Sequence, residues 1–195
     1  MTTTQPVTAT AKEPRRVPGQ PDMWVFVLFE SLVFTSYFGV YLYYRAQREE
    51  AFLQAQSHLD LWLGVLGTIV LLTSSWSVAR CVQTARAGQY RAATRDAFLT
   101  AGFGVAFLAL KIVEWTGHVQ AGHTFTSDDF FQHYFFLTAI HCVHLLIGFV
   151  VLGVLVHQLA SPDRRSQETV ETCATYWHTV DFFWVLIFAL LYVVR

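Results

Sequence analysis

Five long runs of apolar residues, separated by short polar segments, dominate the hydropathy pattern of this chain. They cover residues 24–44, 61–80, 97–115, 130–156 and 175–194. Each run is close to the length of about 20 apolar residues that a helix needs to cross the hydrocarbon core of a membrane. The runs lack the alternation of apolar and polar residues that a membrane β-strand requires. The pattern therefore predicts an all-α integral membrane protein, a bundle of five transmembrane helices.

The segment before the first run has a different composition. Residues 1–20 are rich in Thr, Pro and charged residues and have too few apolar residues to fold alone, which predicts a disordered tail. The first run is too long for a signal-peptide core, and the polar residues 45–50 follow it instead of a small-residue cleavage site. We therefore expect a retained first helix and a single membrane domain over residues 21–195.

The distribution of basic residues predicts the orientation of the helices. Nine Lys and Arg residues lie in the tail and after the second and fourth runs, whereas three follow the first and fifth runs. Because basic residues accumulate on the cytoplasmic side, the amino terminus is predicted to be cytoplasmic and the carboxyl terminus to be outside.

Composition excludes several classes of function. The chain is 54% hydrophobic and 14% charged, which is too apolar for an ordinary soluble domain. Its net charge of −1 is divided between two sides of a membrane and suggests no nucleic-acid partner. The three cysteines have no metal-binding or redox spacing, and motifs for phosphate binding or nucleophilic catalysis are absent from the sequence. We expect free thiols, no metal and no catalytic residues.

Two pairs of polar residues are spaced three apart within apolar runs. These pairs are Lys111 with Glu114 and His178 with Asp181. Residues at this spacing lie on one face of a helix, one turn apart. For the first pair we expect a salt bridge, which allows Lys111 to be inserted or to extend toward the membrane surface. For the second pair we expect Asp181 to accept a hydrogen bond from His178.

Other ionisable residues lie deep within the first and fourth runs. Glu30 begins an aromatic stripe, and it is either a carboxyl group hydrogen-bonded to a neighbouring helix or a ligand for a lipid head group or proton relay. His133, His141 and His144 are predicted to share one wide stripe. Hydrogen bonds to adjoining helices explain such histidines, as does ligation of a metal or haem.

Four sequence segments, in order, resemble one family of membrane proteins. They are Phe29-Glu30-Ser31-Leu32-Val33-Phe34, Lys111-Ile112-Val113-Glu114-Trp115, Phe135 to Gly148 with His141 and His144, and Glu171 followed by Tyr176-Trp177-His178-Thr179-Val180-Asp181-Phe182-Phe183-Trp184. From about Trp24 onward the chain resembles subunit III of the haem-copper respiratory oxidases, the cytochrome c oxidase subunit III family, in its five-helix bacterial form.

The resemblance implies an accessory subunit in a bacterial plasma membrane, packed against the catalytic subunit I, which holds the haems and copper. It also implies a V-shaped cleft that holds phospholipid, no cofactor on this chain, and support of assembly and proton uptake. Glu30, His141 and His144 match the family's lipid- and cleft-lining positions. His178, Asp181 and Glu171 match polar positions that hold helices together, and we expect the same structural role for the Lys111 and Glu114 pair.

Departures from the family pattern suggest a second branch. Lys111 replaces the family's usual glutamine, and Ala139 and Cys142 replace two glycines. These changes look more like the NorE-like branch, whose members are associated with bacterial nitric oxide reductase. Membership of this branch is the alternative interpretation.

Two further hypotheses come from other classes of protein. The chain could be a self-sufficient membrane cytochrome that binds haem between His144 and His178. It could also be a small proton transporter that uses Glu30 and the Lys111 and Glu114 pair. Five spans and the absence of an internal sequence repeat argue against the inverted halves that are common in transporters.

Overall fold

The structure, a computed structural model, describes residues 19–194 apart from the side chain of Arg164; most of the predicted tail, residues 1–18, lies outside the described residues. The described chain forms α1 (Pro21–Gln47), α2 (Glu49–Gln56), α3 (Leu61–Arg86), α4 (Tyr90–Gln120), α5 (Asp129–Ala160) and α6 (Gln167–Phe188). A 3-10 turn at Pro162–Arg164 precedes α6, and a π-helical turn at Ala189–Val193 extends it.

All five predicted spans are confirmed as helices. α1, α3, α4, α5 and α6 with its π-helical turn are long and apolar enough to cross a membrane. Most helices extend beyond the apolar runs, and α4 already begins at Tyr90 although the run begins at residue 97. The backbone hydrogen bonds of a helix do not depend on apolar side chains. A helix can therefore continue into the polar interface beyond the run of apolar residues.

The short helix α2 was not predicted. Its eight residues are too few and too polar to resemble a span. Phe52 and Ala55 are nevertheless buried, and α2 packs against α5. This helix covers the end of the bundle at which α1 finishes and α3 begins.

The spanning helices pack in an order that puts α6 in the centre. α3 and α4 form a close antiparallel pair, joined by a tight turn in which Gly88 adopts the left-handed conformation with φ 74°. α6 packs against both α3 and α5, whereas α1 lies outside and contacts α5 and α6. α1 is consequently the least buried of the five spanning helices.

The indole of Trp177 on α6 sets the spacing of the central helices. It is fully buried and donates a hydrogen bond from Nε1 to Ser74 Oγ at 3.0 Å. A Cβ atom added at Gly148 would lie 2.9 Å from Trp177 Cζ3, and one added at Gly104 would lie 3.0 Å from Cη2. These two glycines leave the room that the indole needs, so α4 and α5 can both approach α6.

Candidate functional site

A charged cluster is buried at the α2 end of the bundle, between α4 and the end of α6. Lys111 Nζ donates to Glu114 Oε2 at 2.7 Å and to Tyr192 Oη at 2.8 Å. Tyr192 in turn donates a hydrogen bond to the other carboxylate oxygen, Oε1. The side chains of Lys111 and Glu114 are each only 3% exposed. The predicted salt bridge is confirmed, and Lys111 stays in the bundle instead of extending to the surface.

Aromatic rings complete the surroundings of the Lys111 ammonium group. Nζ lies 4.5 Å from the ring centroid of Trp184, 5.2 Å from that of Tyr192 and 5.6 Å from that of Tyr134. The faces of these rings attract a cation, most strongly where water is excluded. The ammonium group is therefore stabilised by one carboxylate, one hydroxyl and three rings in place of water.

The position of Tyr192 depends on how the end of α6 is capped. Tyr192 lies in the π-helical turn, after which several backbone carbonyls have no partner within the helix. Arg45 on α1 donates to Val194 O at 2.7 Å, and Gln56 on α2 donates to the carbonyls of Leu191 and Val194, both at 3.0 Å. α1 and α2 thus fix the end of α6 and, with it, the tyrosine hydroxyl. The sequence held no periodic signal for these contacts.

A small cavity connects the charged cluster with the surface of the bundle. Its volume is about 380 Å³, and its polar lining comprises His58, Asp60, Glu114, His118 and His123. His118 Nε2 lies 4.0 Å from Glu114 Oε1. The three histidines were not predicted from the sequence, although the spacing of four between Glu114 and His118 could have indicated a contact.

A second polar contact joins α1 to α5. Glu30 Oε2 lies 3.1 Å from His144 Nε2, and His144 Nδ1 lies 2.9 Å from the carbonyl oxygen of Ile140. The edge of the His144 ring also packs against Phe34. Of the two interpretations of Glu30, the structure favours the carboxyl group that is hydrogen-bonded to a neighbouring helix.

The predicted histidine stripe of α5 is wrong for His141, whereas His133 and His144 both face α1. His133 bonds to the Asp129 carbonyl at 2.6 Å, and its ring lies near Tyr41. His141 is fully buried between Phe107 and the ring of Trp184, and within residues 19–194 neither of its nitrogens has a hydrogen-bond partner. Three residues correspond to an offset of about 60° around a helix, which turns His141 away from His144 and toward α4.

The predicted hydrogen bond between His178 and Asp181 is also wrong. His178 Nδ1 lies 2.6 Å from Ser75 Oγ on α3. Asp181 is buried, and both of its carboxylate oxygens lack a hydrogen-bond partner within the described chain. The Ser75 hydroxyl on α3 lies closer to the His178 imidazole than the Asp181 carboxylate does. The imidazole therefore turns from α6 toward α3.

Glu171 joins α6 to α3 at the other end of the bundle. Its Oε1 accepts hydrogen bonds from Arg86 at 2.8 and 3.1 Å and from Gln167 at 3.0 Å. The predicted role of Glu171 in holding helices together therefore agrees with its contacts.

A groove of about 530 Å³ lies beside this contact, between α1, α3 and α6. Its surface is mainly apolar, and its polar residues are Ser31, Gln83, Arg86, Glu171, Thr175, His178 and Thr179. Glu30, His141 and His144 do not line this groove. Their assignment to an open cleft is wrong for His141, which is fully buried, while Glu30 and His144 lie on the side of α1 that faces α5.

The histidines proposed for haem ligation have protein partners. His144 uses both ring nitrogens in hydrogen bonds, and Nδ1 of His178 contacts Ser75. Within residues 19–194, no three His, Cys, Asp or Glu side chains are grouped closely enough to hold a metal ion.

Comparisons with known proteins cover nearly the whole chain. The family model for cytochrome c oxidase subunit III matches residues 20–194. The chain is 29% identical over 182 residues to cytochrome c oxidase subunit 3 of Synechocystis, which is 89% of this chain and 77% of that protein. It is 30% identical over 173 residues to probable cytochrome c oxidase subunit 3 of Nocardia farcinica, with coverages of 88% and 85%. It is 26% identical over 180 residues to haem-copper oxidase subunit I+III of Aeropyrum pernix, which is 88% of this chain and 22% of that protein.

Proposed function

Because the chain belongs to the cytochrome c oxidase subunit III family, we propose that it supports the assembly and proton uptake of a haem-copper respiratory oxidase as its accessory subunit III. The observation that carries this proposal is the continuous family match, which includes all five spanning helices. The chain is a multi-pass membrane protein, and its role in aerobic electron transport is that of a non-catalytic subunit.

The proposed partner is the catalytic subunit I, which would hold the haems and copper. Support comes from the relative in Aeropyrum pernix, whose name combines subunits I and III in one protein. The NorE-like interpretation stays a prediction, since the relatives compared above carry oxidase names. Neither the contacts of residues 19–194 nor the relatives compared above favour a self-sufficient cytochrome or a proton transporter.

The proposed location is a bacterial plasma membrane, with the amino terminus in the cytoplasm and the carboxyl terminus outside. The excess of basic residues in the tail and in the segments after α3 and α5 supports this orientation. The cavity beside Glu114 would then open to the outside, and the Arg86 and Glu171 contact would lie toward the cytoplasm.

The groove between α1, α3 and α6 is the proposed place for a phospholipid. Val27, Val82 and Phe182 offer apolar surface for an acyl chain, while Gln83 and Arg86 lie where a head group would be. The proposal keeps the expected lipid but assigns it to residues other than those predicted. To test it, Thr179→Trp would fill the groove from α6, and Leu186→Trp, on the same helix but outside the lining, is the matched control.

Mass spectrometry of lipids retained after mild extraction should show a loss for Thr179→Trp and none for Leu186→Trp. Equal retention in both variants would remove the groove from consideration as a lipid site.

A tagged pull-down tests the role as an oxidase subunit. The chain is extracted in mild detergent, and co-purifying proteins are identified by mass spectrometry and by an optical spectrum. We expect a large haem protein of the subunit I type. A nitric oxide reductase would support the NorE-like alternative, and a colourless chain without partners after cross-linking in intact membranes would contradict the accessory role.

A further inference from the structure

Three of the eight histidines of the chain line the small cavity at the α2 end of the bundle. His58 lies in the segment between α2 and α3, His118 in the last turn of α4, and His123 in the segment between α4 and α5. Asp60 and Glu114 add carboxylates to the same lining. Imidazole and carboxylate groups around one cavity are the ligands that divalent transition metals prefer.

We propose that His58 and His123 together bind a divalent transition-metal ion of the Zn²⁺ type. Their ring centroids are 4.7 Å apart, with an angle of 37° between the ring planes. Two imidazoles that bind one zinc at the usual nitrogen distance and a tetrahedral angle have centroids about 5 Å apart. The observed separation of the two rings is close to this distance.

Contacts with the protein hold the His123 ring and the backbone around His58 in place. His123 stacks on Phe131 with a centroid distance of 4.4 Å and an interplanar angle of 11°. His58 follows the end of α2, and its backbone N–H donates to the Ala55 carbonyl at 3.1 Å. Asp60 caps α3 by accepting from Trp62 N at 2.8 Å, which anchors the same short segment. Because the His123 ring is stacked and the backbone of the His58 segment is anchored, metal binding would order only the His58 side chain.

The ring nitrogens of these two histidines are available, unlike those of three of the histidines on the spanning helices. His133, His144 and His178 use ring nitrogens in hydrogen bonds to the protein. Within residues 19–194, His58 and His123 contact each other through their rings and donate no side-chain hydrogen bond. Their nitrogens can therefore accept a metal without breaking an existing bond.

The site has only two preplaced protein ligands. No group of three potential ligands is preassembled among the described residues, so water would fill the other positions of the metal. His118 is the nearest additional imidazole, with its ring centroid 6.4 Å from that of His123. A bound metal would share the cavity with Glu114.

The experiment uses the full chain, purified in mild detergent and free of chelators. Isothermal titration with ZnCl₂ is compared among the wild type, His58→Gln, His123→Gln and His157→Gln. His157 lies on α5 near the opposite end of the bundle and serves as the control. Size-exclusion chromatography verifies that each variant stays folded.

We expect one Zn²⁺ per wild-type chain and at least about tenfold weaker binding for His58→Gln and for His123→Gln, because changes in the surroundings of metal ligands alone often cost that much. His157→Gln should bind like the wild type. Co²⁺ added in place of Zn²⁺ should give visible d–d absorption that disappears in the two cavity variants. Equal affinities in the wild type and both cavity variants, or loss of binding in His157→Gln alone, would overturn the proposal.

Discussion

Two pairs of polar side chains have the same spacing on membrane helices, but the members of only one pair contact each other. Lys111 and Glu114 on α4 meet at 2.7 Å and are both buried. On α6, His178 turns to Ser75 and leaves the buried carboxylate of Asp181 without a hydrogen-bond partner in the described chain. Spacing along a helix only makes a contact possible, whereas the facing helix decides whether it forms.

The difference has an energetic consequence. In the α4 cluster, the loss of one partner leaves an uncompensated charge at membrane depth. On α6, His178 and Asp181 form no hydrogen bond with each other. A substitution of one should therefore remove no hydrogen-bond partner from the other. Four substitutions test this comparison.

The largest effect is expected for Lys111→Met. Glu114 would keep its burial but lose its ion-pair partner, which should lower the free energy of unfolding by about 3–5 kcal/mol. Unfolding is followed by titration with SDS in mixed micelles. The double variant Lys111→Met/Glu114→Leu should recover most of the loss, because no charge is left unpaired. If the double variant were as unstable as the single one, the ion pair would not be the cause.

Tyr192→Phe should have the next largest effect. It removes the hydroxyl that accepts from Lys111 and donates to Glu114, at an expected cost of about 1–3 kcal/mol in the same assay. Tyr43→Phe is the control, since this tyrosine is 64% exposed. Equal stability of the two variants would mean that Tyr192 contributes packing only.

Ser75→Ala should cost about 1 kcal/mol, since it removes the partner of His178 Nδ1. Ser36→Ala is the matched control, because the exposed Ser36 hydroxyl donates only to a carbonyl of its own helix. A Ser75 variant as stable as the control would show that this hydrogen bond contributes nothing to the packing of α3 against α6.

The smallest effect is expected for Asp181→Leu. The sequence alone suggested that this change would deprive His178 of its partner, but the structure assigns that partner to Ser75. Since no hydrogen bond of Asp181 is lost, the free energy of unfolding should change by less than about 1 kcal/mol. A loss as large as that of Lys111→Met would mean that the carboxylate is paired after all.

The fold was predictable because its signal is local. Each spanning helix needs about 20 apolar residues in sequence, and this requirement is visible without any tertiary information. The Lys111 and Glu114 pair was predictable for the same reason, since both residues lie on one helix.

Contacts between helices were harder to predict. Glu30 meets His144 across 114 positions of sequence, and nothing in the sequence around either residue distinguishes that partner from His141. The cavity histidines were missed because two of them lie in polar connecting segments, where a histidine has no unusual hydropathy. Their proximity depends on the helices that bring these segments together.

The capping of α6 by Arg45 and Gln56 also constrains biosynthesis. Arg45 and its acceptor carbonyl on Val194 are 149 positions apart. At translation rates of about 5–20 residues per second, roughly 7–30 s pass before that acceptor is made. During this interval the guanidinium and amide groups must stay in the aqueous interface or contact the insertion machinery. The end of α1 can therefore take its buried place only after α6 has been inserted.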